Sequence, residues 1–307
     1  MPFSIRTDLA MEARELHPEL RGITEETERE EGIAITRIAV TTDDAAARLG
    51  KEKGNYVTLD APELTARPLD LFARVSHVLC RELTRMIEAL GPCGSVLVVG
   101  LGNRAITPDS LGPRAVEAVY VTRHVKQYMP EALPAPVRAV SAVAPGVLGV
   151  TGVETMEIVW GVVEHCKPEL VIAIDSLASR RAARISTTVQ ITDTGISPGA
   201  GVGNNRAGIN KESLGVPVIA IGVPLVVFAS TISQDTIGLI ADETGLHNDE
   251  EHLKELAAKV IAEHMGEMIV TPKEIDSIVG DMTRILADGI NMALFGADYE
   301  QVRALIA

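Results

Sequence analysis

The apolar residues of this chain fall into short β-branched runs that alternate with stretches of helical spacing. Strands are predicted at residues 96–99, 137–143, 170–174, 188–192 and 216–221. Helices are predicted at residues 69–90, 113–128 and 153–165. Alternation at these lengths is typical of βαβ units. We therefore predict an α/β fold with a mostly parallel central sheet and helices on both faces.

The two ends of the chain differ in how clearly they indicate structure. Residues 1–60 are mixed and polar, and their acidic cluster predicts the solvated face of a helix: Glu25, Glu26, Glu28, Glu30 and Glu31. Near the other end, residues 271–274 (Thr-Pro-Lys-Glu) form a capping box ahead of apolar residues at helical spacing. A helix is predicted to begin there. A glycine-rich loop at residues 195–205 receives no function from its sequence.

Composition fits this fold and narrows the function. Of 307 residues, 46% are hydrophobic and only 3% aromatic, so the core is built from Val, Ile, Leu and Ala, as buried parallel strands are. That length suits one large domain. The formal net charge of −14 argues against direct nucleic-acid binding.

Cysteine usage and the distribution of apolar residues point to a cytoplasmic protein. Cys80, Cys93 and Cys166 are odd in number and lack C-x-x-C spacing, which argues against disulfides and thiolate metal sites. The first residues lack the layout of a secretion signal. Residues 214–233 are uncharged and long enough to span a bilayer, but glycines and prolines interrupt them, so we expect buried strands and no membrane association.

Two aspartates provide the candidate chemistry. Asp109 and Asp175 each follow an apolar run, and the carboxyl ends of parallel strands are where ligands gather in such sheets. Two carboxylates in a partly dry site tend to share one proton. One can then withdraw a proton from water while the other donates to a peptide carbonyl. This pair predicts amide hydrolysis without a covalent intermediate.

The surroundings of Asp109 suggest how the roles divide. Thr107 is predicted as a helix N-cap and Pro108 as the first helical residue, which places Asp109 in the first turn. The positive end of a helix favours the ionised carboxylate, so we expect Asp109 to be the base and Asp175 the acid. Either aspartate alone is more typical of a turn or helix start than of a catalytic residue, so the hypothesis depends on the pairing.

Other motifs are less specific. Asp193 lies in an Asp-Thr-Gly string, but pepsin-like dyads need two such loops in an all-β protein, so a turn residue is favoured. Residues 100–105 approach a dinucleotide fingerprint, yet Ala105 replaces its third glycine and no acidic partner follows. These glycines are better suited to bringing backbone N–H groups close to a substrate carbonyl.

Charged side chains leave one further question open. Arg180, Arg181 and Arg184 form either a solvated face or a site for an acidic substrate segment. The seven histidines show no H-E-x-x-H spacing. We expect neither a metal nor a cofactor.

Several segments, in order, match one known family. They are residues 4–10 (SIRTDLA), 54–59 (GNYVTL), 99–112 around Asp109, 143–147 (VAPGV), 170–178 around Asp175, 197–204 (SPGAGVGN) and 270–274 (VTPKE). In these segments the sequence resembles the germination proteases, the spore endopeptidases of endospore-forming bacteria. The resemblance extends from Ser4 to about Ala293.

The resemblance implies an aspartate-dependent endopeptidase that degrades small acid-soluble, DNA-coating spore proteins in the forespore or spore core at germination. It implies a phosphorylase/hydrolase-like α/β fold similar to hydrogenase-maturation endopeptidases. The family's proposed essential aspartates match Asp109 and Asp175. Its members are homotetramers made as zymogens. A cut at Asp8-Leu9 would release a propeptide, residues 1–8, and leave 9–307 as a single α/β peptidase domain.

Two alternatives stay open. The same aspartates could ligate a divalent metal in a maturation-type endopeptidase, since hard oxygen ligands suit such ions. The chain could instead be a non-catalytic protein that holds acidic peptides. The acidic and apolar residues around Asp8-Leu9 favour the aspartate endopeptidase over both alternatives, because they make the propeptide a tethered mimic of the substrates.

Overall fold

The computed structural model describes residues 7–134, 136–197, 207–245, 250–264 and 268–306. The first residues of the matching 4–10 segment and residues 198–204 of the glycine-rich loop lie outside these ranges. The strands are β1 (Ile23–Glu30), β2 (Ile33–Val40), β3 (Gly54–Asp60), β4 (Ser95–Gly100), β5 (Ala139–Val143), β6 (Leu170–Ser179), β7 (Thr188–Thr192), β8 (Val218–Phe228) and β9 (Ile269–Val270). The helices are α1 (Ala10–Leu16), α2 (Asp43–Leu49), α3 (Leu69–Ala89), α4 (Leu111–Glu117), α5 (Arg123–Tyr128), α6 (Leu148–Thr151), α7 (Thr155–Cys166), α8 (Lys211–Leu214), α9 (Ala229–Thr244), α10 (Glu250–His264), α11 (Ile275–Phe295) and α12 (Tyr299–Ile306).

The strands form one mixed sheet in the order β1-β2-β3-β7-β8-β6-β4-β5, with β9 paired to β8. The half formed by β8, β6, β4 and β5 is parallel. The other half, from β1 to β7, is antiparallel, as is the junction of β7 with β8. The α/β class is confirmed, but the sheet is mixed rather than mostly parallel, because residues 1–60 supply three antiparallel strands.

The acidic cluster lies on a strand, which corrects the predicted helix. Glu25 to Glu30 belong to β1, and Glu31 follows it; among the described strands, β1 pairs with β2 alone and exposes nearly every residue. An edge strand with both faces solvated has no apolar alternation to reveal it.

Helices cover both faces of the sheet, as predicted. Along β4, Val96 and Val98 pack into the cluster formed with α3, α4, α11 and α12. Leu97 and Val99 point the other way, into the cluster with α7 and α8. Alternate side chains of a buried strand therefore serve two cores, which is why the strand is continuously apolar.

Two helix predictions need correction. The helix predicted over residues 113–128 is two helices, α4 and α5, with an irregular connection between them. At the other end, α11 begins at Ile275 and has no side-chain cap. The predicted capping residue Thr271 instead donates its hydroxyl to the carbonyl of Leu225 at 2.8 Å. The capping box is therefore not formed.

Strands β6 and β8 are longer than their apolar runs predicted. β6 continues past Ile174 to Ser179 because β8 pairs with it over the whole length, with one irregularity between Leu177 and Ala178. Every residue of β8 is buried, which accounts for much of the uncharged stretch at 214–233. In the described part of the chain, no helix has both the length and the apolar character needed to cross a membrane.

Candidate active site

Asp175 lies within β6, opposite Gly222 of β8, and is only 6% exposed. Its Oδ1 accepts the N–H of Ser176 at 2.8 Å. Burial raises the pKa of this carboxyl well above its usual range, and the negative charge of Asp109 raises it further. The hydrogen bond from Ser176 lowers the pKa of Asp175, and the charge of Asp8 raises it by a smaller amount. Asp175 is therefore suited to hold a proton.

Asp109 lies in the connection that follows β4, the strand beside β6. It ends a 3-10 turn over Thr107–Asp109, and its Oδ2 accepts the N–H of Asn103 at 2.7 Å. The hydroxyl of Thr107 donates to Asp276 at 3.1 Å and caps no helix. Helix α4 begins only at Leu111. Asp109 therefore precedes the α-helix in a separate turn, and the predicted position in its first turn is wrong.

Gly102 makes the close approach of Asp109 to β4 feasible. Its φ of +115° is one that side chains rarely adopt. A Cβ at this position would overlap the carbonyl oxygen of Asp109 and lie 2.9 Å from its Oδ1. The glycine is thus required by the backbone geometry that positions the Asp109 carboxylate.

Both aspartates line a cavity of about 480 Å³, a volume typical of ligand sites. We call it the central cavity; its polar wall includes Asp8, Lys51, Asp109, Asp175, Ser176 and Gln190. Among the described residues, none hydrogen-bonds to the buried hydroxyl of Ser176. The structure therefore brings the two aspartates predicted from the sequence into one cavity, together with the predicted cleavage residue Asp8.

The N-terminal segment, residues 7–16, begins with an extended stretch against the wall of this cavity and continues as α1. The N–H of Asp8 donates to the carbonyl of Ala178 at 3.0 Å, and Oδ2 of Asp8 accepts the N–H of Ala178 at 2.7 Å. The carbonyl oxygen of Asp8 accepts from Nζ of Lys51 at 2.8 Å and Nε2 of Gln190 at 3.1 Å. Leu9 follows, fully buried. The Asp8-Leu9 peptide bond is therefore fixed against the cavity wall.

Burial also shifts the charged groups of this contact. It raises the pKa of Asp8, an effect opposed by the Lys51 charge and the hydrogen bond from Ala178. It lowers the pKa of Lys51, an effect opposed by the charges of Asp8 and Glu12. Each group of the Asp8 and Lys51 pair therefore favours the charged form of the other.

The arginines after β6 bind the acidic residues of the N-terminal segment. Glu12 accepts the backbone N–H groups of Arg180 at 2.6 Å and Arg181 at 3.0 Å, and Nη1 of Arg184 lies 3.2 Å from it. Arg184 also pairs with Glu15 at 2.5 Å. Arg184 is only 7% exposed, whereas the side chain of Arg181 is 51% exposed, so the cluster is a solvated face only in part. It binds an acidic segment, one that belongs to the chain itself.

Comparison with known proteins decides the family. A family model described as germination protease matches residues 5–258 and 244–304. A protein named Germination protease from Caldanaerobacter subterraneus subsp. tengcongensis is 48% identical over 305 residues, 94% of each chain. The chain belongs to the germination protease family. It is accordingly an endopeptidase.

Other germination proteases match over a similar extent. The protein of that name from Clostridium acetobutylicum is 44% identical over 95% of each chain, and that from Bacillus cereus is 38% identical over 95% of this chain and 94% of its own. The crystal structure of a [NiFe] hydrogenase maturation protease, HycI from Thermococcus kodakarensis KOD1, matches 57% of this chain and 95% of its own. Its identity of 17% and TM-score of 0.28 add no argument.

In this germination protease family member, Asp193 of the Asp-Thr-Gly string lies apart from Asp109 and Asp175. The carboxylate of Asp193 accepts the backbone N–H of Asn55 at 2.7 Å and its side-chain N–H at 2.6 Å. It ties the end of β7 to the start of β3 and is not among the residues that line the central cavity. Asp193 is a turn residue, as its sequence context favoured.

Sequence reasoning missed Lys51 and Gln190. Gln190 could have been found, because it lies between Val189 and Ile191 in the middle of β7, a short strand whose residues are all buried. A buried polar group implies a specific hydrogen-bond partner. Lys51 lies in the polar first 60 residues and gives no such signal. Its contact with Asp8 arises only when β3 and the N-terminal segment pack together.

Proposed function

We propose that this germination protease cuts peptide bonds with water activated by Asp109 and Asp175. The observation that carries the proposal is the burial of Asp175 beside the charge of Asp109 in a cavity that also holds the Asp8-Leu9 bond. Because its pKa is raised, Asp175 serves as the acid that supplies a proton to the peptide group. Asp109 serves as the base that takes a proton from water.

We also propose that the chain is made as a zymogen that cuts itself at Asp8-Leu9. Residues 1–8 are then a propeptide, and residues 9–307 remain as a single α/β peptidase domain. The support is geometric. β4 ends opposite Ile174, so the same edge of β6 is open beyond it, and Asp8 pairs there with Ala178. Peptides commonly bind proteases and other partners by adding to such an open edge.

The proposed substrates are the small acid-soluble, DNA-binding spore proteins degraded during germination. Membership of the family supports this proposal. So do the positive charge of Lys51 near the Asp8 carboxylate and the ion pair of Arg184 with Glu12. By the same resemblance we propose a homotetramer in the forespore or spore core. We propose no direct contact with nucleic acid or membrane.

Mass spectrometry of the purified full chain at mildly acidic pH tests the mechanism. We expect a new amino terminus at Leu9 in the wild type, and its loss in folded Asp109→Asn and Asp175→Asn variants. The matched control is Asp193→Asn, which lies outside the lining of the central cavity, keeps one of the two oxygens that accept from Asn55 and should process normally. Unimpaired processing in both Asp109→Asn and Asp175→Asn, with circular dichroism showing native folds, would remove the proposal.

The alternative of a metal-dependent endopeptidase uses the same aspartates. Within the described ranges, no group of three or more His, Cys, Asp or Glu side chains is placed to hold a metal ion. Exhaustive chelation separates the two mechanisms. Processing that survives it favours the aspartate pair, whereas processing that is lost and then restored by a divalent ion favours the metal.

A further inference from the structure

The carbonyl oxygen of Asp8 is held by two side chains. Nζ of Lys51 donates to it at 2.8 Å and Nε2 of Gln190 at 3.1 Å. Both donors line the central cavity with Asp109 and Asp175. A carbonyl in an ordinary extended segment would receive a backbone N–H instead. Here a cation and an amide converge on the oxygen of the one peptide bond that is proposed to be cut.

We propose that Lys51 and Gln190 form the oxyanion site of this protease and stabilise the negative charge that develops on the carbonyl oxygen during attack. The inference rests on the proposed self-cleavage at Asp8-Leu9. Donors that are already in place, in a site with little water, are often the largest single contribution to catalysis. The pair adds a role that the two aspartates, both proton carriers, do not provide.

The neighbouring contacts fix both donors before any reaction. Oε1 of Gln190 accepts the N–H of Ala10 at 2.7 Å, and this directs Nε2 to the carbonyl oxygen of Asp8. Nζ of Lys51 also donates to the carbonyl of Thr7 at 3.2 Å. The backbone N–H of Lys51, just past the end of α2, donates to the carbonyl of Ala46 within that helix at 3.1 Å. Two rigid elements, β7 and α2, thus present the donors.

The reaction balances with these groups and water alone. Water attacks the carbonyl carbon of Asp8 and gives its proton to Asp109, while the C=O electron pair moves onto the oxygen held by Lys51 and Gln190. When the carbonyl re-forms, the C–N bond breaks and the nitrogen of Leu9 takes the proton of Asp175. The products are a carboxyl group on Asp8 and an amine on Leu9. Because two donors already occupy the carbonyl oxygen, the proton of Asp175 goes to the nitrogen.

The test measures the first-order rate constant for appearance of the Leu9 terminus in full-length variants. The cut segment is tethered, so this rate contains no bimolecular binding step. Lys51→Met should slow processing about 10²- to 10³-fold, the usual effect of losing an oxyanion donor. Gln190→Glu keeps an acceptor for Ala10 but removes the donor, and should slow processing by about tenfold or more. The matched control is Lys53→Met, which removes an exposed lysine paired with Asp43 and should leave the rate unchanged.

Hydrogen exchange of the uncut chains separates catalysis from docking. The reporter is the amide of Asp8, which donates to Ala178 in the docked segment. Slow processing with this amide still protected supports the inference. Slow processing with the protection lost overturns it, because Lys51 and Gln190 would then only dock the segment. Unchanged processing in folded Lys51→Met and Gln190→Glu also overturns it.

The aspartate variants keep the two proposals apart. If Asp109→Asn and Asp175→Asn process normally, the proposed function fails. If they are inactive while Lys51→Met and Gln190→Glu process at the wild-type rate, the proposed function stands and only the oxyanion site is wrong.

Discussion

Two buried carboxyl groups of this protein, Glu82 on α3 and Asp175 on β6, have opposite surroundings. They are 2% and 6% exposed. Glu82 accepts hydrogen bonds from Arg37 at 2.8 and 3.0 Å, with Arg85 at 2.9 Å and Arg81 at 3.3 Å. Asp175 instead accepts a hydrogen bond from the N–H of Ser176 and lies near the carboxylates of Asp109 and Asp8.

Both groups are buried, so the difference between their pKa values comes from the hydrogen bonds and charges that surround them. Burial on its own raises the pKa of Glu82, but the hydrogen bonds and charge of Arg37, helped by Arg85 and Arg81, outweigh it and bring the pKa below its usual value. Burial and like charge act together on Asp175 and raise its pKa. Glu82 therefore joins α3 to β2 as an anion down to a pH below its usual pKa, whereas Asp175 keeps its proton to a pH well above its usual pKa.

The largest expected effect that tests this contrast is the pH dependence of self-cleavage. Because the acid must carry its proton, the rate should fall as the pH rises through the raised pKa of Asp175. The fall should approach tenfold per pH unit, or about 100-fold over two units. The rate constant for the Leu9 terminus, measured by mass spectrometry across pH, checks this. Glu82→Gln should leave the alkaline limb in place, and a flat profile would contradict the assignment of Asp175.

Glu82→Gln should instead affect stability. We expect it to lower the free energy of unfolding at pH 7 by about 2 kcal/mol, because it leaves buried hydrogen-bond donors of Arg37 partly unpaired. The pKa of Glu82 is lowered by folding. Its contribution is therefore present above the unfolded pKa, about 4.3, and is lost as the pH falls through the lower folded value. Urea denaturation in an uncut Asp109→Asn background, from pH 7 downwards, should show the difference shrinking; a constant difference would contradict the ionic account.

Asp175→Asn should have the opposite effect on stability. Folding raises the pKa of Asp175, so the ionised side chain costs stability above the folded pKa, and the cost vanishes as the pH falls below the unfolded value of about 3.9. The free energy of unfolding of the variant should therefore be about 1 kcal/mol higher than that of the wild type at neutral pH, and the difference should disappear in acid. Urea denaturation against freshly prepared uncut wild type measures it. A loss of stability at neutral pH would show that the charge of Asp175 is compensated.

The smallest effect is expected from Arg85→Met. Arg85 is 55% exposed and pairs with Glu82 at i,i+3 on α3, while Arg37 keeps its two hydrogen bonds. Such exposed helix pairs contribute about 0.3–0.5 kcal/mol, and salt screens them. Denaturation at low and high salt, with Arg37→Met as the comparison, checks the ranking. An Arg85→Met effect as large as that of Arg37→Met would mean that the buried bidentate contact is not the main partner.

The sequence predicted the catalytic candidates but not the antiparallel half of the sheet or the residues that bind Asp8. Asp109 and Asp175 were predicted because each follows an apolar run, and such runs mark the parallel strands. The antiparallel half escaped prediction because five of the eight residues of β1 are charged and most of the strand is exposed. Thr271 has the spacing of a helix cap, but its hydroxyl donates a hydrogen bond to the carbonyl of Leu225 in β8. Lys51 and Gln190 meet at Asp8 only through long-range packing, which local patterns do not encode.

The docking of the N-terminal segment has a consequence for how completely the chain matures. After a cut at Asp8-Leu9, Ala178, Lys51 and Gln190 would still hold the new carboxyl end, and α1 would keep Leu9 where it was. Religation, with loss of water, would then occur within this non-covalent complex, at a high effective concentration of the amine. Maturation would become irreversible only when the released octapeptide diffuses out, so anything that slows its exit would hold the protein in a reversible equilibrium between cut and uncut forms.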